Sequence, residues 1–479
     1  ETSPLPAICG RVSPAPCMES CNRAEYDTTV NVRESERAAA ELGTRPEPNR
    51  STRVEKVAVV GSGPAGLSTA YQLAKLGYPV SLYEAGDELG GVMRTGIPAY
   101  RLPRDVLDEE IDYILKYDIT PHTGCQLRRE DMLRLSREYQ AVFVATGLQN
   151  VSDLDLGKSA SVEPVQGLHF LEQVRQGNQR LDGQRVIVIG GGNTAMDAAR
   201  SALRIGASDV RVVYRRTRSE MPAIHEEIEQ ALEEGIILDE LVAPVSLTDS
   251  DEGPLLTCQG MVLGPPDDSG RPRPIADTSP DARFNLRCDL VILALGQSHD
   301  ISILPEGSEI KEGEALIGLS GAPFFLGGDF ATNAGTVSAA IGCGVRAARH
   351  IHRTLAEEDL FPPPEEPVAS AEVIKFQRFD HLPPEQVNTL DPAERRRCFD
   401  EVHLGFKAGP DGTGAVGEAQ RCLSCGVCNS CDRCLEYCPE GILRQGNEEE
   451  GYYFDLEYCK GCGVCMTACP RGAIYMTNL

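Results

Sequence analysis

Ten cysteines lie in the last sixty residues of this chain, at spacings that strongly limit what the segment can fold into. Eight of them form two blocks of the pattern C-x2-C-x2-C-x3-C-P, which are Cys428, Cys431, Cys434 and Cys438, and then Cys459, Cys462, Cys465 and Cys469. This spacing holds pairs of iron–sulfur clusters, and the fourth cysteine of each block binds the cluster of the other block. The pattern therefore predicts two [4Fe–4S] clusters, one on Cys428, Cys431, Cys434 and Cys469, the other on Cys459, Cys462, Cys465 and Cys438.

The two cysteine blocks are also internal repeats of one another. CPEGIL at 438–443 corresponds to CPRGAIY at 469–475, as expected for the pseudo-twofold α+β fold of a dicluster ferredoxin domain over residues 417–479. The acidic stretch 446–453 is predicted to form a hairpin tip between the halves. A disulfide-rich or zinc-binding module is the alternative, but zinc sites usually take four ligands in two pairs. The segment is therefore predicted to carry single electrons.

The rest of the chain has the composition of a large globular enzyme. Its 479 residues, 41% hydrophobic and 25% charged, suffice for about three domains. The net charge of −26 argues against nucleic-acid or anionic-membrane binding, and no apolar run approaches the ~18 residues of a membrane span. Cysteines at metal spacing in so long a chain favour a reducing, cytoplasmic location.

A first nucleotide-binding turn is predicted within residues 54–77. A β-branched run ends at Gly61-x-Gly63-x-x-Gly66, and an Ala/Leu-patterned helix follows. The glycines allow a tight turn, close approach of a pyrophosphate and close helix–strand packing, with the helix N-terminus facing the phosphates. A second strand at 80–83 ends at Glu84, where an acid binds the ribose hydroxyls of adenosine. Strand, turn, helix and acid together are a strong signal for a dinucleotide site.

A second turn of this kind lies within residues 184–207. Gly190-x-Gly192-x-x-Ala195 again joins an apolar strand to a helix of small residues, but the next strand ends in Arg215 and Arg216. An acid there would repel the 2′-phosphate of NADP, whereas guanidinium groups pair with it. The sequence therefore favours NADP(H) over NAD(H); a pair of solvated arginines at a strand end is the open alternative.

Two such units in series predict an α/β chain with two Rossmann-like domains of the flavin disulfide-reductase type, FAD first and nicotinamide second. The segments that end in Thr146-Gly147 and Leu295-Gly296 resemble the crossovers between these domains, and Gly328-Asp329 precedes a helix whose N-terminus would face the flavin. Further candidate cofactor-binding residues are Pro64, Ala65, Gly91, Arg101, Asn193, Thr194 and Thr336.

The predicted domain boundaries place a cysteine-bearing helical segment at 1–50 and split the FAD domain into 51–170 and 301–355. The NAD(P)H-binding domain is inserted between them at 171–300. A linking segment covers 356–416, in which the Pro- and Glu-rich stretch 355–370 is predicted to be extended. The ferredoxin domain follows at 417–479.

The redox cysteine pair of disulfide reductases has no counterpart in this sequence. Cys125, Cys258, Cys288 and Cys343 have no close partner along the chain, so each is predicted to be a small buried residue. Hydride transfer needs two positioned cofactors rather than an acid–base side chain. No side chain is therefore assigned a catalytic role.

Three segments resemble the small subunit of glutamate synthase and related FAD-dependent NAD(P)H oxidoreductases. They are GGVMRTGIPAYRLP at 90–103, VVYRRTRSEMPA at 212–223 and GGDFATNAGTVSAAIGCG at 327–344. The resemblance covers nearly the whole chain, and it implies that NADPH reduces FAD by hydride and that FAD passes single electrons to iron–sulfur clusters. The appended dicluster domain is similar to a subgroup of electron-transfer subunits that serve 2-oxoacid or aromatic-acyl-CoA oxidoreductases.

These features predict an NAD(P)H:ferredoxin or acceptor oxidoreductase that is a subunit of a larger complex, with a ferredoxin or oxidoreductase subunits as partners. A self-contained NADPH:ferredoxin reductase is one alternative. The glutamate synthase small subunit is another, although it usually lacks the C-terminal dicluster domain. An assembly and wiring subunit with one vestigial nucleotide site is the third, which the intact glycines at both turns disfavour.

The N-terminal segment at 4–27 is similar to the cysteine-bearing N-terminal region of the family, but Ser13 stands where the family usually has a cysteine. Cys17 and Cys21 remain there, while Cys422 and Cys425 are surplus to the two predicted clusters. One hypothesis is a third [4Fe–4S] cluster on these four cysteines, with Cys9 as a spare ligand. The alternative is that all five are reduced thiols.

Overall fold

The computed structural model describes residues 3–157, 160–267, 270–305, 315–316, 322–358, 368–407, 412–446 and 451–476. Its α-helices are α1 Pro6–Val12, α2 Pro16–Glu19, α3 Val32–Leu42, α4 Pro64–Lys75, α5 Val92–Thr95, α6 Arg104–Ile114, α7 Arg129–Glu138, α8 Gly167–Arg175, α9 Asn193–Arg204, α10 His225–Glu233, α11 Asp329–Thr332, α12 Val337–Ala356, α13 Pro392–Arg395, α14 Thr413–Gln420, α15 Arg433–Tyr437 and α16 Val464–Ala468. Its strands are β1 Val57–Val60, β2 Val80–Tyr83, β3 Ile119–His122, β4 Ala141–Val144, β5 Asn150–Val151, β6 Val165–Gln166, β7 Arg185–Ile189, β8 Asp209–Tyr214, β9 Ile237–Glu240, β10 Val242–Ser250, β11 Gly253–Pro266, β12 Pro272–Ala276, β13 Arg283–Arg287, β14 Leu290–Leu293, β15 Gln297–Ser298, β16 Ala315–Leu316, β17 Phe324–Leu326, β18 Val387–Thr389, β19 His403–Phe406, β20 Leu443–Gln445 and β21 Tyr452–Phe454.

The chain packs into two compact units. Unit one contains residues 1–14, 44–360 and 389–404, and unit two contains residues 15–43, 361–388 and 405–479. Most of the stretch predicted to be extended, 359–367, and the predicted hairpin tip at 447–450 lie outside the described residues. Among the helices that the structure describes, none combines the length and the apolar character needed to cross a bilayer.

A six-stranded sheet forms the first half of unit one. Its strand order is β16-β17-β4-β1-β2-β3, with parallel pairing except between β16 and β17. All four residues of β1 are apolar and buried, as is usual for a parallel strand covered by helices on both faces. Since β17 follows the second sheet in sequence and yet pairs with β4, this first sheet is assembled from two separate stretches of chain.

A second, all-parallel sheet has the order β6-β14-β7-β8-β9. Between β9 and β14 the chain forms an antiparallel sheet of β10 to β13, which the sequence did not predict. The two predicted crossovers pair with one another, because β15 lies antiparallel to β5 and the Ser152 N–H donates to the Gly296 carbonyl at 3.1 Å. The domain boundaries themselves stay predictions; β6 joins the second sheet although it precedes the predicted boundary at residue 170.

Unit two combines α2, α3 and α14 with the cysteine-rich segment, in which α15 packs against α16 and β20 pairs with β21. A buried carboxylate ties its three stretches of chain together. Glu418 accepts hydrogen bonds from the Asn31 N–H at 2.7 Å and from the Glu385 N–H at 2.8 Å. It also pairs with Arg421 at 2.6 Å. Each stretch of unit two is therefore anchored by the same fully buried side chain.

Candidate cofactor cleft

A cleft of about 1550 Å³ in unit one lies at the carboxyl ends of the strands of both parallel sheets, the position where open α/β folds bind ligands. The predicted cofactor residues that line it are Gly61, Gly63, Pro64, Ala65, Glu84, Gly91, Arg101, Thr146, Gly147, Asn193, Thr194, Gly296, Gly328, Asp329 and Thr336. Those that lie elsewhere are Gly66, Gly190, Gly192, Ala195, Arg215 and Arg216. The structure thus brings residues from both predicted nucleotide sites to one cavity.

The first glycine turn has the geometry that a bound pyrophosphate needs. A Cβ on Gly61 would lie 2.3 Å from the Ala145 carbonyl oxygen, and a Cβ on Gly66 would lie 1.8 Å from the Gly61 carbonyl oxygen. A Cβ on Gly63 would meet no atom within 4 Å. Helix α4 starts here with no side chain capping its first N–H groups, so they are left for an anion. The residues present therefore fit the phosphates of FAD.

The second glycine turn repeats this arrangement. A Cβ on Gly190 would lie 2.2 Å from the Ala294 carbonyl oxygen, whereas one on Gly192 would meet nothing within 4 Å. Helix α9 begins directly after Gly192, again without a side-chain cap. A second phosphate-binding helix N-terminus is therefore available for a pyridine nucleotide.

Glu84 is held at the mouth of the first turn by contacts that the sequence did not reveal. Its carboxylate accepts hydrogen bonds from the Ser62 N–H at 3.0 Å, the Ser62 hydroxyl at 2.5 Å and the Gly86 N–H at 2.9 Å. The Ser62 hydroxyl oxygen accepts in turn from the Gly90 N–H at 3.0 Å. Ser62 occupies an unspecified position of the glycine pattern, so nothing in the pattern marks it. The ribose contact of Glu84 stays a prediction.

Asp329 lies where β17 ends, and it also lines the cleft. Its carboxylate accepts a hydrogen bond from the Gly335 N–H at 2.9 Å, while burial raises the pKa of the group. Thr336 caps α12, because its hydroxyl oxygen accepts from the Ala339 N–H at 3.3 Å. Both side chains therefore fix the loop that leads into α12, at the place predicted for the flavin.

The three arginines predicted to bind cofactors differ in availability. Arg101 is buried against Asp197, at 2.7 and 3.0 Å, and its Nε lies 2.9 Å from Glu227. Arg216 is only 3% exposed and pairs with Asp267 at 2.6 Å. Arg215 is exposed and, in the part of the chain that the structure describes, has no ion-pair partner. Arg215 is therefore the guanidinium that is available to a phosphate.

Arg101 belongs to a buried charge cluster at the wall of the cleft, which the sequence analysis missed. We call it the six-charge cluster; its members are Arg101, Asp197, Arg200, Arg204, Glu227 and Glu234. The ring of Tyr100 lies 4.6 Å from the guanidinium of Arg200 and 3.9 Å from that of Arg204. Three positive and three negative side chains balance, which makes burial of all six tolerable.

The two cysteine blocks of unit two lie side by side, because α15 packs against α16; the predicted sharing of ligands between the blocks stays a prediction. Cys465 is in electrostatic contact with Cys462 of its own block and with Cys438 of the other block. The sulfur of Cys459 accepts from the Gly461 N–H at 3.4 Å, and that of Cys469 accepts from the Ala473 N–H at 3.3 Å. Such N–H to sulfur hydrogen bonds tune the potentials of iron–sulfur clusters.

Within the described ranges, no three His, Cys, Asp or Glu side chains converge closely enough to bind one metal ion. In a [4Fe–4S] cluster each thiolate binds a different iron, so its four cysteines are spaced more widely than the ligands of one ion.

Among the described residues, the remaining cysteines form no disulfide, and they differ in burial. Cys258, Cys288 and Cys343 are buried, as predicted. For Cys125 the prediction is wrong, because this residue is half-buried and lines the cleft. Cys258 and Cys288 share an apolar core, where burial raises the pKa of Cys258 to about 12. Thiols of this kind are structural rather than reactive.

Fold and cleft together define an oxidoreductase with a flavin domain, a pyridine-nucleotide domain and an iron–sulfur domain. Residues 55–317 match the family model described as pyridine nucleotide-disulphide oxidoreductase, and residues 427–473 match the model described as 4Fe-4S dicluster domain. The chain belongs to the pyridine nucleotide-disulphide oxidoreductase family and carries a 4Fe–4S dicluster domain. The predicted enzyme class and the predicted cofactor types, FAD, a pyridine nucleotide and [4Fe–4S] clusters, are thereby confirmed; the individual ligand residues stay predictions.

The chain is similar to subunits of larger oxidoreductases. It is 37% identical over 470 residues to the NADP(+)-dependent formate dehydrogenase subunit beta of Moorella thermoacetica, covering 88% of this chain and 65% of that protein. It is 34% identical over 486 residues to the NADPH-Fe(3+) oxidoreductase subunit beta of Geobacter sulfurreducens, covering 89% and 70%. The chain therefore spans about two thirds of the length of these curated relatives.

A solved structure shares the fold over about two thirds of this chain. Mycobacterium tuberculosis FprA in complex with NADPH superimposes with a TM-score of 0.53 at 16% identity, covering 64% of this chain and 85% of that protein. At this level of identity the similarity concerns the fold alone. The predicted fold class is confirmed.

Proposed function

We propose that the chain is the electron-transfer subunit of a larger cytoplasmic oxidoreductase, which exchanges hydride with NADPH at FAD and single electrons with [4Fe–4S] clusters. The observation that supports it best is that residues from both nucleotide-binding turns line the same cleft. Two dinucleotides that meet in one cavity can exchange hydride directly. The names of the relatives, beta subunits acting with NADP(+) or NADPH, support a partner subunit and this coenzyme.

The side chains and helix ends of unit one would bind and orient the two dinucleotides. The N-terminus of α4 and the open face of Gly63 would hold the FAD pyrophosphate, and Glu84 would bind its ribose. The N-terminus of α9 and Gly192 would hold the nicotinamide dinucleotide in the same way. FAD, when bound, supplies the conversion between hydride transfer and single-electron transfer. A ferredoxin, or a partner subunit of the 2-oxoacid, aromatic-acyl-CoA or formate-oxidising type, would exchange electrons with the clusters.

An anaerobic titration with NADPH and then with NADH tests this function. We expect NADPH to bleach the flavin absorbance and to produce the EPR signals of reduced [4Fe–4S] clusters in the same sample. Bleaching by NADH in preference to NADPH would contradict the coenzyme assignment. Flavin that either coenzyme bleaches while the clusters stay oxidised would contradict electron transfer between the two.

Replacing Arg215 with alanine is expected to raise the Kd for NADPH about 10- to 100-fold and to leave that for NADH nearly unchanged. Hydrogen bonds to charged groups contribute about 1.5–3 kcal/mol, and Arg215 is the exposed, unpaired arginine at the end of β8 among the described residues. Arg211→Ala is the matched control, because Arg211 lies on the same strand but pairs with Asp239 at 3.0 Å. If Arg215→Ala raised the Kd for NADPH and the Kd for NADH equally, a role of Arg215 in recognising the 2′-phosphate would be ruled out.

A further inference from the structure

The segment from Cys422 to Cys425 lies just ahead of the matched dicluster region, which begins at residue 427, and yet its backbone repeats the cluster-binding turns. Ser424 and Gly426, two and four residues after Cys422, have φ values of +47° and +76°. The same positions are left-handed after the first cysteine of each dicluster block, in Ser430 and Asp432 (+55° and +58°) and in Gly461 and Gly463 (+64° and +70°). Because residues other than glycine rarely adopt this conformation, the repeat indicates a third copy of one turn.

The sulfur of Cys422 also accepts a backbone hydrogen bond like the one that the sulfur of a predicted cluster ligand accepts. The Ser424 N–H donates to the Cys422 sulfur at 3.4 Å, and the Gly461 N–H donates to the Cys459 sulfur at the same distance. N–H groups directed at thiolate sulfurs are characteristic of iron–sulfur sites. The C-x2-C segment at 422–425 therefore has both the backbone and the sulfur environment of a ligand turn.

A second pair of cysteines is held next to this turn within unit two. The guanidinium of Arg23, two residues after Cys21, donates to the carbonyl of Arg421, the residue that precedes Cys422. The guanidinium of Arg421 donates back to the carbonyls of Thr28 and Thr29, at 2.7 and 3.0 Å. Arg23 and Arg421 are 2% and 1% exposed. This buried contact fixes the chain around Cys21 beside the chain that leads into Cys422.

Cys17 and Cys21 are themselves neighbours in space. The Cys21 N–H donates to the Met18 carbonyl at 3.3 Å, and the Thr29 hydroxyl donates to the same carbonyl at 2.9 Å, so one hydrogen-bonded turn joins the two thiols. Cys17 and Cys422 are exposed, and Cys21 and Cys425 are half-buried. Cys9, by contrast, is buried in the apolar core of unit one. Four thiols of unit two remain, the number that a [4Fe–4S] cluster requires.

We infer that Cys17, Cys21, Cys422 and Cys425 hold a third [4Fe–4S] cluster. The site joins residues from the two ends of the described chain inside unit two, and it does not depend on which nicotinamide coenzyme binds. Each thiol loses its proton when it binds iron. The cluster would also act as a covalent link between residues 15–43 and 405–479.

Two double variants of the full chain test this site, Cys17→Ala/Cys21→Ala and Cys422→Ala/Cys425→Ala. Each is expected to lose about four iron atoms per chain, and the quadruple variant is expected to lose the same four, because all four thiols would bind one cluster. Cys398→Ala, a half-buried thiol of unit one, is the control and should lose none. An unchanged iron content in either double variant overturns the inference. Losses that add to about eight in the quadruple variant also overturn it, because the two pairs would then serve different clusters.

Alkylation of the unsubstituted chain provides a test that does not depend on folding of the variants. Under anaerobic conditions, these four cysteines should react with iodoacetamide only after chelation or oxidation has removed the iron, as judged by mass spectrometry. Exposed free thiols would react at once, so rapid alkylation of the four in the iron-replete chain would exclude the cluster. Bleaching of FAD by NADPH is measured separately, and its failure would affect the proposed function alone.

Discussion

Replacing Gly63 with valine is expected to produce a chain that folds but binds FAD at least about 100-fold more weakly. A Cβ at Gly63 would meet no protein atom within 4 Å, so the folded protein has open space where the side chain begins. That room lies beside the N-terminus of α4, where the pyrophosphate would approach. Two lost hydrogen bonds to phosphate, at about 1.5–3 kcal/mol each, are enough for this loss of affinity.

Gly192→Val is the matched control for Gly63→Val. Both glycines precede the first residue of a helix, both are followed by an uncapped helix end, and both have open space at the Cβ position. The two substitutions should therefore have the same small effect on helix capping. When the apoprotein is titrated with each dinucleotide, Gly192→Val should keep its affinity for FAD and lose affinity for NADPH. Gly63→Val should lose affinity for FAD and keep its affinity for NADPH. Parent-like FAD affinity in Gly63→Val would refute the assignment of the first turn.

Replacing Arg200 with methionine is expected to reduce the free energy of unfolding by about 3–5 kcal/mol, because it leaves three buried carboxylates with only two cations, Arg101 and Arg204. Arg200 is fully buried, pairs with Glu234 at 2.6 Å and also pairs with Glu227. Denaturant unfolding of parent and variant, followed by circular dichroism, measures the difference. Arg134→Met is the control, because Arg134 pairs with Glu138 at 3.2 Å on the surface, where both side chains are about half exposed; its cost should stay below about 1 kcal/mol. Equal costs at the two sites would contradict the importance of the six-charge cluster.

The destabilisation by Arg200→Met should depend on pH. In the parent, burial opposes ionisation of Glu227, but Arg101 and Arg200 hold its pKa below the usual value. Such a lowered pKa contributes stability above the unfolded carboxyl pKa of about 4.3, and this stability is lost as the pH falls. In the variant, loss of the Arg200 charge should raise the pKa of Glu227, which costs stability as the pH rises. The gap in unfolding free energy between parent and variant should therefore be larger at about pH 8 than at about pH 5.

The nucleotide-binding turns could be predicted because their information is local. Gly61, Gly63 and Gly66 specify one turn through contacts within a few residues and with the adjacent strand, so a six-residue pattern is sufficient. The same reasoning placed the second turn and the end of β17. The cysteine blocks are equally local, and their spacing alone predicted the dicluster domain that the family model confirms.

The partners of the arginines could not be predicted, because they lie far away in sequence. Arg101 pairs with Asp197, 96 residues further along the chain, and Arg216 pairs with Asp267, 51 residues further along. The sequence does not show whether an arginine at a strand end binds phosphate or is buried in an ion pair. Only the fold separates the exposed Arg215 from its buried neighbour Arg216.

The antiparallel sheet of β10 to β13 was missed for a different reason. Its strands contain prolines and glycines, such as Pro244 in β10 and Gly260 and Pro265 in β11. These residues are depleted in strands, so local propensity argues against the elements that form. Pairing of β11 with β10, β12 and β13 overrides that preference.

The threading of the chain through unit two limits how this protein could have been assembled by gene fusion. The unit is built from residues 15–43, 361–388 and 405–479, and one carboxylate, Glu418, binds backbone groups of both earlier stretches. A recombination event that transferred only residues 405–479 to another gene would separate that carboxylate from Asn31 and Glu385. Unit two as a whole is therefore not one transferable segment of chain, and we expect the contacts of Glu418 to be inherited only together with the nucleotide-binding domains whose sequence interrupts the unit.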